Sequence, residues 1–203
     1  RDLLAIMPPD SGRLPEEEAR YANEQRYSRH DPALPLYTEE DATRCIPRIH
    51  TLRYGVQREI ADGCVLTFHR AGHILGSASV QLDLYGDRGF RHTIVYSGDL
   101  GRYDMPIVPD PAALERATSL LVECTYADRE HLENDPRGAL GAVVREVVER
   151  RGVLIIPAFA IGRCQDLLYH LRQLQLAGEI PDRIPIFVDS PMAIDATPLY
   201  LMH

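Results

Sequence analysis

The chain has 203 residues, 45% of them hydrophobic and 26% charged, with a formal net charge of −8. That length buries a sizeable core in one or two domains, and no apolar run approaches the roughly 20 residues of a membrane-spanning helix. The acidic balance excludes a protein that coats nucleic acid nonspecifically but is compatible with a local basic channel.

In chain order, Pro15-Glu16-Glu17-Glu18 opens a predicted helix that runs to about Tyr27, with acids in its first turn. Residues 30–37 hold Pro32 and Pro35 and read as loop. Thr38 is a predicted N-cap for a short helix that stops near Pro47. From Thr51 the period changes: residues 64–70 and 79–85 alternate at two-residue spacing, as half-buried strands do. Gly86-Asp87-Arg88-Gly89 predicts a turn into a strand at 93–96, and residues 119–123 predict another strand. Beyond Asp135-Pro136 the pattern predicts a helix over 139–151 and a buried strand at 153–156. A second helix over 162–177, a strand at 184–188 and a final helix over 192–200 follow. Such alternation implies a parallel α/β layer. Residues 1 to about 125 therefore read as one β-rich α/β unit, and the last stretch as the start of another, joined near 128–136.

Cys45, Cys64, Cys124 and Cys164 form no C-x-x-C pair and read as free thiols of a reducing cytosol. Cys124 is expected to be a small buried hydrophobe. Two arginine clusters, Arg44/Arg48/Arg53/Arg58 and Arg145/Arg150/Arg151, read first as solvated faces.

The chemistry gathers in strand-end loops. His73 lies in Ala71-Gly72-His73-Ile74-Leu75-Gly76-Ser77, where glycines let the backbone aim an imidazole at an ion. Asp99 follows in Tyr96-Ser97-Gly98-Asp99-Leu100-Gly101-Arg102, a strand-end carboxylate able to bridge two divalent ions. Each also has a plainer reading, a hydrogen-bonded turn histidine and an Asx-turn aspartate. His69, four residues before His73, reads as a surface strand histidine. Glu123-Cys124-Thr125-Tyr126-Ala127-Asp128-Arg129 offers a carboxylate that can hold a histidine in its acid form, or a structural ion pair with Arg129. Gly162 and Arg163 stand at a helix N-terminus, where free N–H groups and a guanidinium suit a phosphodiester; a tight turn packed by Phe159 is the alternative. Asp189-Ser190-Pro191 reads as a plain helix cap.

In this order and spacing the segments resemble the metallo-β-lactamase-fold nucleases of the β-CASP group, which includes ribonuclease J and the endonuclease of the mRNA cleavage and polyadenylation factor. The His73 loop is similar to the group's third metal motif, and the Asp99 loop to its fourth. Glu123–Arg129 is similar to the acidic motif that opens the β-CASP insertion. Pro157–Arg163, Asp189–Ala193, Tyr21-Ala22-Asn23 and Pro35–Asp41 also fit. The resemblance implies the C-terminal part of an αββα sandwich over 1–128 and the N-terminal part of a β-CASP α/β domain over 129–203. It implies a two-zinc phosphodiesterase, cytoplasmic and prokaryotic-like, that cleaves single-stranded RNA, with a homodimer possible. His73 would be a zinc ligand, Asp99 a bridging ligand, and Glu123 a catalytic partner of a distant histidine that protonates the leaving group. None of the eight histidines belongs to an H-x-H-x-D-H motif, which supplies most zinc ligands in the group. The chain is thus expected to be an internal piece of a longer protein, inactive alone, its site completed by flanking segments. The alternatives are a non-catalytic paralogue serving as scaffold in RNA processing, or a hydrolase of DNA or small molecules.

Overall fold

The computed structural model describes residues 1–130 and 135–203 as an α/β fold with a mixed five-stranded sheet. His131 and part of the predicted junction at 128–136 lie outside the described residues. Two compact units emerge, residues 1–51 with 190–203, and residues 52–189.

The first unit is helical. Its α1 spans Met7–Gln25, eight residues longer at its start than the acidic run suggested. Prolines at the first positions cost nothing, because no N–H there has a partner within the helix, and the helix tolerates Pro15 in its interior. Helix α2 (Glu39–Cys45) begins as predicted, with a capping box in which the Thr38 hydroxyl accepts from the Asp41 N–H and Asp41 accepts from the Thr38 N–H. A side chain at Gly12 of α1 would meet the Thr38 backbone at 2.7 Å, so glycine permits the approach of the two helices. The final helix (Pro191–Met202) is capped by the Ser190 hydroxyl, which accepts from the Ala193 N–H.

The second unit holds the sheet, in the order β1 (Arg58–Ala61), β2 (Cys64–Arg70), β3 (Ala78–Tyr85), β4 (Arg91–Tyr96), β5 (Ser119–Leu121). Neighbours from β1 to β4 are antiparallel, and β5 joins β4 in parallel. Strands β2, β4 and β5 therefore point the same way, and the loops that follow them leave one edge of the sheet. The short β1 was not anticipated: all four of its residues are exposed and two are charged, so it carries no apolar period.

The strands alternate as expected, but the more deeply buried face is the polar one. Thr67, Ser79, Asp83 and Thr93 are buried together with Val95, whereas Val80, Leu82 and Ile94 are only partly covered. Burial is tolerable because these polar groups, the Thr67 hydroxyl excepted, have hydrogen-bond partners. The Thr93 hydroxyl donates to Asp83 Oδ1 at 2.6 Å, and Gln81 Nε2 donates to Asp83 Oδ2 at 2.8 Å. His69 Nε2 lies 2.9 Å from Gln81 Oε1, so His69 is a part-buried member of this network and not a free surface histidine. Burial would raise the Asp83 pKa, but these hydrogen bonds and the charges of Arg91 and Arg116 hold it below the usual carboxylate range.

Helices α3 (Pro136–Glu149) and α4 (Arg163–Leu176) pack through Val144, Leu171, Leu174 and Ile180, with Leu140, Leu154 and Ile184 against that cluster. The strands expected at 153–156 and 184–188 do not form, and with them the expected parallel layer. A strand needs a ladder partner for its N–H and C=O groups, and among the described residues neither segment has one. Leu154 and Ile184 turn inward, while Val153, Ile155 and Phe187 are 87%, 82% and 87% exposed.

Candidate functional site

Three loops carry the candidate residues to the shared sheet edge: 71–77 after β2, 97–102 after β4, and 122–125 after β5. Gly72 (φ +69°) and Gly76 (φ +81°) supply left-handed turns in the first, and Gly98 (φ +60°) in the second. Contact between the first two loops is backbone to backbone. The Gly101 N–H donates to the Ala71 carbonyl at 2.7 Å, and a side chain at Gly101 would overlap the Gly72 carbonyl. The loops of His73 and Asp99 are thereby fastened to each other.

Within the His73 loop, Ser77 is the hub. Its Oγ accepts from the His73 N–H at 3.0 Å and the Ile74 N–H at 3.3 Å. Its carbonyl accepts from the Ala71 N–H at 3.2 Å and from the Tyr54 hydroxyl at 2.9 Å. His73 itself is exposed.

The Asp99 loop is fixed by Ser97, which is buried. Its N–H donates to the Leu121 carbonyl at 2.9 Å, and its carbonyl accepts from the Ser79 hydroxyl at 2.7 Å. Its Oγ accepts from the Glu123 N–H at 3.0 Å and donates to the Gly98 carbonyl at 2.7 Å. Asp99 is exposed.

Glu123 ties the third loop to the second. One carboxylate oxygen accepts from the Thr125 N–H at 2.9 Å, the other from the Leu100 N–H at 3.2 Å, one residue beyond Asp99. The Thr125 backbone and side chain, the Leu100 N–H and the nearby charge of His73 hold the Glu123 carboxyl below its ordinary range. Glu123 thus stays ionised beside both candidate loops. The predicted ion pair of this segment is Asp128 with Arg129 at 3.6 Å, both exposed, and does not involve Glu123. Cys124 is exposed, contrary to the expectation of burial, because the backbone turns away from the sheet after β5; all four cysteines are free. A cleft of about 370 Å³ adjoins the Asp99 loop, lined in part by Val95, Ser97, Leu100, Tyr103 and Leu120.

Gly162 (φ +83°) caps α4, and its N–H donates to Gln165 Oε1 at 2.8 Å. Exposed Arg163 reaches Asp166 Oδ2 at 3.7 Å. Burial pushes the Asp166 carboxyl up, against the charges of Arg163 and His170. This end of α4 is therefore partly occupied by its own side chains. Arg145 and Arg150 of the second arginine cluster contact the Glu179 carbonyl and Glu146, respectively.

An imidazole and a carboxylate are suitable donors for zinc. They do not close a site: among the described residues no group of three or more His, Cys, Asp or Glu side chains gathers as a metal would require. Sequence reasoning found His73, Asp99 and Glu123 from their loops. It missed Ser77, Ser97 and Gly101 as fasteners, although the small residues flanking His73 and Asp99 were the signal. Tyr54 left none. No helix among the described residues is long and apolar enough to cross a membrane.

No family model matches the chain. It is 32% identical over 175 residues to an RNase J-like protein of Methanocaldococcus jannaschii, covering 82% of the chain and 39% of that relative. It is 34% identical over 168 residues to ribonuclease TTHA0252 of Thermus thermophilus, covering 82% of the chain and 37% of the relative. With the transcription termination factor FttA of Methanothermobacter thermautotrophicus it shares 34% identity over 166 residues, 79% of the chain and 25% of the relative. The chain spans between a quarter and two fifths of the length of these relatives. Over about four fifths of its own length, the chain is related to the β-CASP nuclease family, to which these ribonucleases and termination factors belong.

Proposed function

We propose that the chain forms part of a metal-dependent phosphodiesterase that cleaves single-stranded RNA in the cytoplasm. The observation that carries this reading is the fastening of three loops, bearing His73, Asp99 and Glu123, at one edge of the sheet. The relatives named ribonucleases support RNA as substrate. In this reading residues 1–128 belong to an αββα sandwich domain and 129–203 to the start of a β-CASP domain. That boundary falls inside the compact unit 52–189.

His73 would present an imidazole nitrogen and Asp99 a carboxylate to zinc, with the remaining donors coming from the longer protein. Zinc, when bound, would lower the pKa of a water enough to make hydroxide available at neutral pH as the nucleophile for phosphorus. Glu123 would remain ionised and hold a histidine from elsewhere in the protein as an acid for the departing oxygen. Exposed Arg163 would contact the RNA backbone. These 203 residues alone are expected to bind zinc poorly and to cleave nothing.

Zinc titration by calorimetry on the full-length protein tests the site. Changing both His73 and Asp99 to Ala should abolish most of the binding and the cleavage of a labelled RNA. Undiminished zinc binding by the double variant would refute the assignment. The FttA similarity favours a second reading, in which the same site serves transcription termination. RNA cleavage by the full-length protein only in the presence of a transcribing polymerase would select it.

A further inference from the structure

We infer that Ser77 and Tyr54 are positioning residues for His73; the inference rests on the reading of His73 as a metal ligand. His73 sits in an exposed loop with left-handed glycines at Gly72 and Gly76 on either side, a backbone that has little intrinsic preference for one conformation. An imidazole on such a loop binds an ion well only if hydrogen bonds behind it fix its backbone. Ser77 does this from both of its ends. Its Oγ gathers the His73 and Ile74 N–H groups, closing the loop on itself. Its carbonyl is then held by two donors, the Ala71 N–H at the other end of the loop and the Tyr54 hydroxyl from the segment before β1.

Tyr54 is the only member of this set that comes from outside the loop. Its own segment is held to the sheet, the Gly55 N–H donating to the Phe68 carbonyl of β2 at 2.8 Å. The tyrosine thus ties the far end of the His73 loop to the strand from which the loop departs. Partial burial raises the Tyr54 pKa, against the charge of Arg70, so the phenol stays protonated and able to donate. Neither residue offers its side chain to the proposed ion: the Ser77 hydroxyl is committed to two backbone N–H groups and the tyrosine to a carbonyl.

The test uses the full-length protein and the variants Ser77→Ala, Ser77→Thr, Tyr54→Phe and His73→Ala. Zinc affinity is measured by calorimetry, amide hydrogen exchange is followed in the zinc-free state, and the melting temperature of each variant is recorded. Ser77→Ala and Tyr54→Phe should each weaken zinc binding on the order of 10-fold, as loss of a support behind a ligand does. Both should speed exchange at residues 71–77 and leave the melting temperature close to wild type. Ser77→Thr keeps the hydroxyl and should restore affinity, which a purely structural role would not require. Tyr54→Phe removes a single oxygen from a residue that is 42% exposed, so it still decides the question if Ser77→Ala fails to fold. Wild-type zinc affinity in Ser77→Ala and Tyr54→Phe, with reduced affinity in His73→Ala, would overturn this inference and leave the proposed function standing. Unchanged affinity in His73→Ala would overturn both.

Discussion

Replacing Gly101 by alanine is the sharpest perturbation of the fastened loops. Gly101 needs glycine for space and not for a left-handed backbone, since its φ lies outside the positive range. An added Cβ would lie 2.7 Å from the His73 nitrogen and closer still to the Gly72 carbonyl, whereas ordinary contact begins near 3.4 Å. With the Gly72 oxygen as the nearest obstacle, the loops of His73 and Asp99 must then part by roughly 1.5 Å, with backbone on both sides and no flexible side chain to yield. The Gly101–Ala71 hydrogen bond, 2.7 Å long, would stretch or break, at a cost of about 1 kcal/mol. A displacement near 1 Å between catalytic groups reduces rate on the order of 100-fold. The expected result in the full-length protein is therefore a modest drop in stability and a much larger drop in kcat/KM for a labelled RNA. Gly178→Ala is the control: it imposes a left-handed alanine (φ +68°) where a Cβ meets nothing within 4 Å. If Gly101→Ala cleaves RNA within about twofold of Gly178→Ala, close backbone approach does not set the spacing of the two loops.

Three further outcomes are expected. Asp83→Ala strands the Thr93 hydroxyl and the Gln81 amide in a buried face and should cost about 2–5 kcal/mol in urea unfolding; a loss under 1 kcal/mol would show that the network adds little. Leu174→Ala opens a cavity at a fully buried position between α3 and α4 and should cost about 2–5 kcal/mol by the same measurement, a smaller loss meaning that the helices close the gap. The Glu123 pKa is depressed in the fold, so its stabilising effect is full above the ordinary glutamate pKa and fades as pH falls through the lower folded value. The stability gap between wild type and Glu123→Gln should thus be flat near neutrality and shrink in acid; a gap that widens in acid contradicts the bracing role.

Local features of the fold could be read in advance because each had a local cause. The Thr38 N-cap, the alternation of β2 and β3, and the helices near 139 and 163 all follow from spacing within one segment. What the sequence left illegible was non-local. Whether 153–156 and 184–188 become strands depends on a ladder partner far along the chain, and an apolar run has no information about that partner. Alternation likewise separates two faces without saying which is covered, so the buried network of Asp83, Thr93, Gln81 and His69 was hidden in what looked like a solvent side. For the site, Gly and Ser around His73 and Asp99 marked loops that could hold an ion. The bonds that join them, Gly101 to Ala71 and Glu123 to Leu100, span up to 30 residues and became visible only in three dimensions.

The uncovered segments on either side of α4 have a consequence for handling the molecule. Val153-Leu154-Ile155-Ile156 is uncharged, rich in β-branched residues and free of proline, with Val153 and Ile155 almost wholly in solvent and no ladder partner among the described residues. Such a stretch is a template for intermolecular cross-β pairing. Wherever it stays open, self-association would compete with folding. A lysine at position 155, on the exposed side, should act as a gatekeeper and slow aggregation without disturbing Leu154, which packs against the helical core.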